Sequence, residues 1–106
     1  MRKLSLDAVR FNAQGLVPVI AQHAESKEVL MLAWASSETL QETIETGLMV
    51  YYSRSRSSRW LKGETSGDFQ EVVSLSLDCD GDTVLALVLP KGPACHNGTT
   101  TCFEEI

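Results

Sequence analysis

Residues 71–89 place the strongest constraint on what this chain can fold into. The run EVVSLSLD, residues 71–78, alternates apolar and polar side chains, meets Asp80-Gly81, and is followed by TVLALVL, residues 83–89. Alternation of period two marks a strand with one buried face, and Asp-Gly between two such runs marks a hairpin. Two earlier runs, LVPVIAQ at residues 16–22 and EVLMLAWA at 28–35, are apolar, partly β-branched and separated by HAESK, the pattern of two adjacent antiparallel strands. Pro18 lacks an N–H and is expected to place the first of them near a sheet edge. Ser36 or Ser37 can cap a helix that runs through Thr46, with Leu40 and Ile44 on one face and Gly47 past its end. LMVYYS, residues 48–53, reads as another strand, whereas KGPACHNG, residues 91–98, has no periodicity and reads as a loop. The expected fold class is α+β, a mainly antiparallel sheet with one or two short helices.

The chain is 106 residues long and has no repeat, linker or shift of composition, so residues 1–106 are expected to form a single domain. Hydrophobic residues make up 43% and charged residues 22%, which excludes disordered and fibrous classes. The longest apolar run, residues 29–35, is far short of the ~18 residues that suggest a membrane span. The start, MRKLSLD, is basic but meets an acid before any apolar stretch, so no secretory signal is expected and the location is expected to be cytoplasmic. Cys79, Cys95 and Cys102 are odd in number and cannot all pair within one chain.

A net charge of −5 opposes binding of anions, yet four of the nine basic residues, Arg54, Arg56, Arg59 and Lys62, fall within nine positions. They lie in SRSRSSRWLKGETSG, residues 53–67, where arginine forks, hydroxyls and glycine-rich backbone supply the donors that phosphate requires. The same composition also fits a solvated loop, or an RNA-binding stretch in which Trp60 stacks on a base. Asp78, Asp80 and Asp82 set three carboxylates at alternate positions around the Asp-Gly turn, an oxygen-rich set suited to a hard cation such as Mg²⁺ and equally to a solvated acidic tip. The calcium-loop template fails, because Thr83 and Leu89 stand where it needs Gly and Glu.

Three thiolates can hold Zn²⁺ and leave its fourth position open for chemistry, and three buried apolar cysteines are the alternative. Cys95 and Cys102 flank a Gly-rich polar loop and Cys79 lies between two aspartates, which are poor places for inert core thiols. His96 fits an acid/base role better than that of a fourth ligand, which would close the site. His23, in a turn between two strands, reads as a surface residue. A nucleobase deaminase is excluded, because its Cys-x-x-Cys does not occur and His23-Ala24-Glu25 supplies only the His-x-Glu half of the signature.

Taken together, YYSRSR at residues 51–56, WLKGETSG at 60–67, DCDGD at 78–82, GPACHNG at 92–98 and Thr101-Cys102-Phe103 resemble the phosphoribosyl-AMP cyclohydrolase family. GLVPVIAQ and VLMLAW near the start extend the resemblance over nearly the whole chain. The sequence departs from the family's pattern at Ala35-Ser36, where Met-Asn is usual and one helix cap replaces another, and at Asn97, where Thr is usual. The resemblance implies a metal-dependent hydrolase of histidine biosynthesis that opens the adenine ring of N1-(5-phosphoribosyl)-AMP between N1 and C6. It implies Zn²⁺ held by Cys79, Cys95 and Cys102, with Cys79 of one chain joining Cys95 and Cys102 of another in an intertwined homodimer. It further implies Mg²⁺ at Asp78, Asp80 and Asp82, with His96 in catalysis. Substrate contacts are expected from Arg54, Arg56, Arg59, Trp60, Lys62, Gly63, Glu64, Thr65 and Ser66. The expected partners are a small nucleotide and a second copy of the chain, with neither nucleic acid nor membrane. Alternation along a strand is expected to turn Cys79 away from Asp78 and Asp80.

Overall fold

The computed structural model describes residues 4–106. The basic start of the chain, residues 1–3, on which the expectation about secretion partly rested, lies outside the described residues. A 3₁₀ turn, Leu6–Ala8, precedes β1 (Leu16–His23), β2 (Val29–Ser36), α1 (Ser37–Thr46), β3 (Val50–Ser53), β4 (Ser58–Leu61), β5 (Gln70–Leu77) and β6 (Val84–Pro90). The strands form one sheet in the order β4-β3-β2-β1-β6-β5. All neighbouring pairs are antiparallel except β1 and β6, which run parallel from Val19↔Val84 to His23↔Val88. The sheet curls, because Leu48 bridges Glu71, Met49 N–H donates to the Gln70 carbonyl, and Val72 N–H donates to the Gly47 carbonyl. These contacts bring the start of β5 back to the entry of β3.

The predicted strand pair at residues 16–35 and the hairpin at 71–89 both form. Their inward residues alternate as expected: Val17, Val19 and Ala21 on β1 and Val84, Ala86 and Val88 on β6 are fully buried. On β5 the alternation changes phase at a bulge between Val72 and Ser74. Val72 and Leu75 are thereby both buried, although three residues apart, and Val73 is left exposed.

Pro18 does not mark an edge. β1 lies inside the sheet, between β2 and β6, and Pro18 is accommodated because the ladder to β6 begins one residue later, at Val19↔Val84. The Asp-Gly hairpin also closes differently from a two-residue turn. Gly81 N–H donates to the Asp78 carbonyl and Asp78 N–H to the Thr83 carbonyl, with Gly81 alone at positive φ, +75°, within the Asp78-to-Thr83 loop. The segment 58–61, read above as a charged loop, is a short edge strand paired with β3.

Helix α1 starts and stops where its capping residues require. Ser36 Oγ accepts from Thr39 N–H at 3.1 Å while Thr39 Oγ1 accepts from Ser36 N–H at 2.9 Å. This reciprocal pair satisfies two helix-end donors, a cap of about 1 kcal/mol. Gly47 ends the helix at φ +77°, its N–H donating to the Thr43 carbonyl. Leu40 is fully buried and fastens the helix to the sheet. Thr43 provides a second attachment: its Oγ1 donates to the Thr39 carbonyl and accepts from Val50 N–H, both at 2.9 Å, tying α1 to the start of β3.

Because Thr43 is fully buried, Thr43→Val keeps the shape but removes the acceptor of Val50 N–H. Urea denaturation at fixed protein concentration is expected to show a loss of about 1–3 kcal/mol.

Candidate active site

The site forms where the β4–β5 connection faces the segment that follows β6. Residues 62–69 turn tightly: Glu64 N–H donates to the Leu61 carbonyl, Gly67 N–H to the Gly63 carbonyl, and Asp68 N–H to Ser66 Oγ. Gly63 has φ +92°, and a Cβ there would run into the backbone of Asp68 and Phe69, so the turn depends on glycine. On the opposite wall, Ala94 N–H donates to the Thr100 carbonyl, Cys95 N–H to the Thr99 carbonyl and Gly98 N–H to the Cys95 carbonyl. Cys102 N–H then donates to the Leu30 carbonyl at 2.7 Å, and Thr101 Oγ1 to the Val29 carbonyl. The end of the chain is thus stitched to β2, and the fold-back of residues 94–100 brings Cys95 and Cys102 together.

Between these walls lies a cavity of about 670 Å³. Of the residues expected to form the site, Arg56, Trp60, Lys62, Gly63, Thr65 and Ser66 line one side, and Cys95, His96 and Cys102 line the other. Three expected substrate residues are turned elsewhere. Arg59 forms a bidentate pair with Glu42 of α1, its Nε 2.6 Å from Glu42 Oε1, and also approaches Glu64 at 3.8 Å. This pairing lowers the Glu42 carboxyl below its ordinary range and raises Arg59. Arg54 stacks over Trp34, its guanidinium carbon 4.5 Å from the ring centroid.

The cavity floor contains residues that were not among the expected site residues. Met31 lines it, and the fully buried Tyr51 donates to Gln70 Oε1 at 2.6 Å, while Gln70 Nε2 donates to Met31 Sδ at 3.3 Å. Tyr51 also packs against Trp60 with ring centroids 5.5 Å apart. Burial raises the Tyr51 hydroxyl far above its ordinary pKa, with the charge of Cys102 adding to the effect. Asp68 also lines the cavity, with its carboxylate against Gly92 in the space that a Cβ would occupy. Tyr51 and Met31 stand inside the family motifs, but no local pattern marked Gln70 as the group that joins them.

The two thiols in the cavity differ in character. Cys95 is lowered, first by the Asn97 backbone N–H and then by the Thr99 side chain. Cys102 is raised, first by burial and then by the neighbouring Cys95 thiol, with Lys62 opposing.

Cys79 is not in this cavity. It sits in the β5–β6 turn, beyond the end of β5, with its thiol 3.9 Å from Asp80 Oδ1. The expectation that strand alternation turns it away from Asp80 fails, because residues 78–82 form a turn and not an extended strand. Cys79 precedes β6 and Cys95 follows it, so seven residues of strand, about 20 Å at ~3.3 Å each, separate the two ends. Around Cys79, carboxylate oxygens of Asp78, Asp80 and Asp82 lie within 4.8 Å of one another. Among the described residues this is the one group of three or more acidic, histidine or cysteine side chains close enough to share an ion.

The sequence matches the family described as Phosphoribosyl-AMP cyclohydrolase over residues 31–104. It is 55% identical over 106 residues to a phosphoribosyl-AMP cyclohydrolase of Neisseria gonorrhoeae, covering 99% of this chain and 81% of that protein. A protein of the same name from Halorhodospira halophila is 54% identical over 101 residues, 95% of this chain and 71% of that one. The histidine biosynthesis bifunctional protein HisIE of Thermus thermophilus is 57% identical over 102 residues, 96% of this chain, which spans about half, 48%, of that protein. A hydrolase class is thereby defined by both site and relatives. The chain belongs to the phosphoribosyl-AMP cyclohydrolase family.

The thiol asymmetry sets an order of reactivity in the metal-free protein. Thiolate content rises with pH, and Cys95, with its lowered pKa, becomes thiolate at lower pH than Cys102. Iodoacetamide labelling read by peptide mass spectrometry is expected to modify Cys95 before Cys102 as pH rises. Equal labelling of the two at every pH would contradict the arrangement.

Proposed function

We propose that this chain hydrolyses N1-(5-phosphoribosyl)-AMP by opening the N1–C6 bond of its adenine ring, the third step of histidine biosynthesis, and that it does so as a homodimer with shared zinc sites. The observation that carries the reading is the convergence of Cys95, His96 and Cys102 with Arg56, Trp60 and Lys62 around one cavity, in a chain of this family. The donor set fits the metal: two adjacent thiols, one of them readily deprotonated, suit a soft or borderline cation. A third thiol, Cys79, lies across β6 within its own chain, and a two-fold partner supplies it without bending the strand. Each dimer then holds two equivalent sites.

Bound zinc supplies the Lewis acidity that makes water a nucleophile near neutral pH. The protein's own residues do the rest. Trp60, backed by Tyr51, offers a flat apolar surface for the purine, and Arg56 with the hydroxyls of Thr65 and Ser66 binds anionic oxygens at the cavity wall. Water adds its oxygen to C6, the N1–C6 bond breaks, C6 becomes a carboxamide carbonyl, and a proton goes to N1. The product is the formimino-aminoimidazole carboxamide ribonucleotide. His96, exposed at the cavity, is the group proposed to transfer that proton. Asp78, Asp80 and Asp82 would hold Mg²⁺, whose charge offsets that of a substrate phosphate. Arg59 acts from outside the cavity in this reading, holding Glu64 and the loop of residues 62–67 against α1.

Two measurements test the proposal. His96→Ala is expected to retain zinc while ring opening, followed spectrophotometrically on N1-(5-phosphoribosyl)-AMP, falls by ~10²- to 10⁴-fold. A change of less than a few fold would remove His96 from the mechanism. For the shared site, inactive Cys79→Ser and Cys95→Ser chains are unfolded, mixed and refolded together. Random pairing with independent sites is expected to restore at most ~25% of wild-type activity, because half of the sites in each mixed dimer are whole. If one chain supplied all three ligands, mixing would restore nothing.

A further inference from the structure

Lys62 is unusual among the basic residues of this protein. The whole residue is 5% exposed, and among the described residues it is the one buried basic side chain. Its Nζ donates to the Asp68 carbonyl at 3.3 Å and to the Pro93 carbonyl at 3.4 Å. Among the described residues no carboxylate lies within 4.0 Å of it, whereas Arg59 and Lys91 both have one. A buried ammonium without a counter-charge is costly, and two carbonyl dipoles satisfy only two of its three N–H donors.

The groups it joins belong to opposite walls of the cavity. Asp68 lies in the turn that closes on Gly63, and Pro93 stands two residues before Cys95. Lys62 also lines the same cavity as Cys95 and Cys102. Three thiolates around one divalent cation leave a net negative charge, the counter-charge that Lys62 lacks within its own chain.

We propose that Lys62 is a positioning residue for the metal-binding thiols: its ammonium clamps the wall of residues 91–95 to the turn of residues 62–69 and balances the charge of the zinc-bound Cys95 and Cys102. This inference rests on the zinc reading above and departs from the expectation that Lys62 is a substrate ligand. Residues that support metal ligands without touching the metal commonly alter metal affinity by ~10- to 100-fold. A lysine that holds a substrate anion acts on KM instead.

The test uses the zinc-loaded dimer and compares wild type with Lys62→Met, which keeps the length and apolar stem but not the charge, and Lys62→Arg, which keeps the charge. Competition with a chromophoric zinc chelator is expected to show Lys62→Met binding zinc at least ~10-fold more weakly. With zinc in excess, kcat is expected to fall while KM changes less than about threefold, and Lys62→Arg is expected to recover part of the zinc affinity. Unchanged zinc affinity with a KM raised ~10-fold or more would overturn the inference and make Lys62 a substrate ligand. Wild type is followed in parallel by nuclear magnetic resonance of ¹⁵N-lysine-labelled protein, which does not depend on a variant folding. One slowly exchanging ammonium signal is expected to shift when zinc is removed, and no shift would overturn the inference. Failure of the parent reading looks different, since wild type would then hold no stoichiometric zinc at all.

Discussion

The parallel pairing of β1 with β6 is the constraint on which the remaining architecture depends. Five successive pairs, from Val19↔Val84 to His23↔Val88, bring the C-terminal half of the chain into the centre of the sheet, beside a strand laid down near its start. Parallel strands cannot be joined by a tight turn, so the chain between them travels through β2, α1, β3, β4 and β5 before returning. With β6 fixed there, the loop after Pro90 emerges near β2, where Cys102 N–H reaches the Leu30 carbonyl. The cavity exists because that returning loop lies over the β4–β5 connection.

The same pairing sets the geometry of the cysteines. β6 is buried along alternate positions, Val84, Ala86 and Val88, and these anchor it too firmly for either end to swing toward the other. Cys79 and Cys95 are therefore held apart by a rigid strand, while Cys95 and Cys102 are brought together by the fold-back of residues 94–100. The acidic turn and the thiol cavity stand at opposite ends of this strand within one chain. In the proposed homodimer, the acidic turn of one chain meets the thiol cavity of its partner without distorting either.

Electrostatics sorts the basic cluster into separate tasks. Arg59 is drawn to Glu42 on the helix, Arg54 lies across Trp34, and Lys62 is buried between two carbonyls, which leaves Arg56 as the arginine of the cluster that lines the cavity. An arginine-rich segment read only as a sequence suggests a uniform anion site. The fold assigns its members by what each can reach, and the Arg/Ser composition that also fitted RNA binding loses two of its arginines to intramolecular partners.

Local chemistry made much of this protein legible. Ser36, Thr39 and Gly47 delimit a helix because capping depends on residues only a few positions apart, and the apolar, partly β-branched run at residues 16–22 and the alternating run at 71–78 are strands for the same local reason. Nine of the site residues that the family resemblance implied line one cavity, because chemistry selects side chains directly. Other features depended on contacts distant in sequence. Pro18 sits inside the sheet because β6 pairs just beyond it, the segment 58–61 becomes a strand because β3 offers an edge, and Val73 is exposed because of a bulge. The Tyr51–Gln70–Met31 floor spans 39 positions and carries no local signature. The sequence by itself determined most of the elements, the family and the reactive side chains, since propensity, capping and ligand chemistry act over short range. Only the tertiary structure decided which of those side chains share a space, because a one-residue shift in strand pairing or the direction of one returning strand changes every long-range contact.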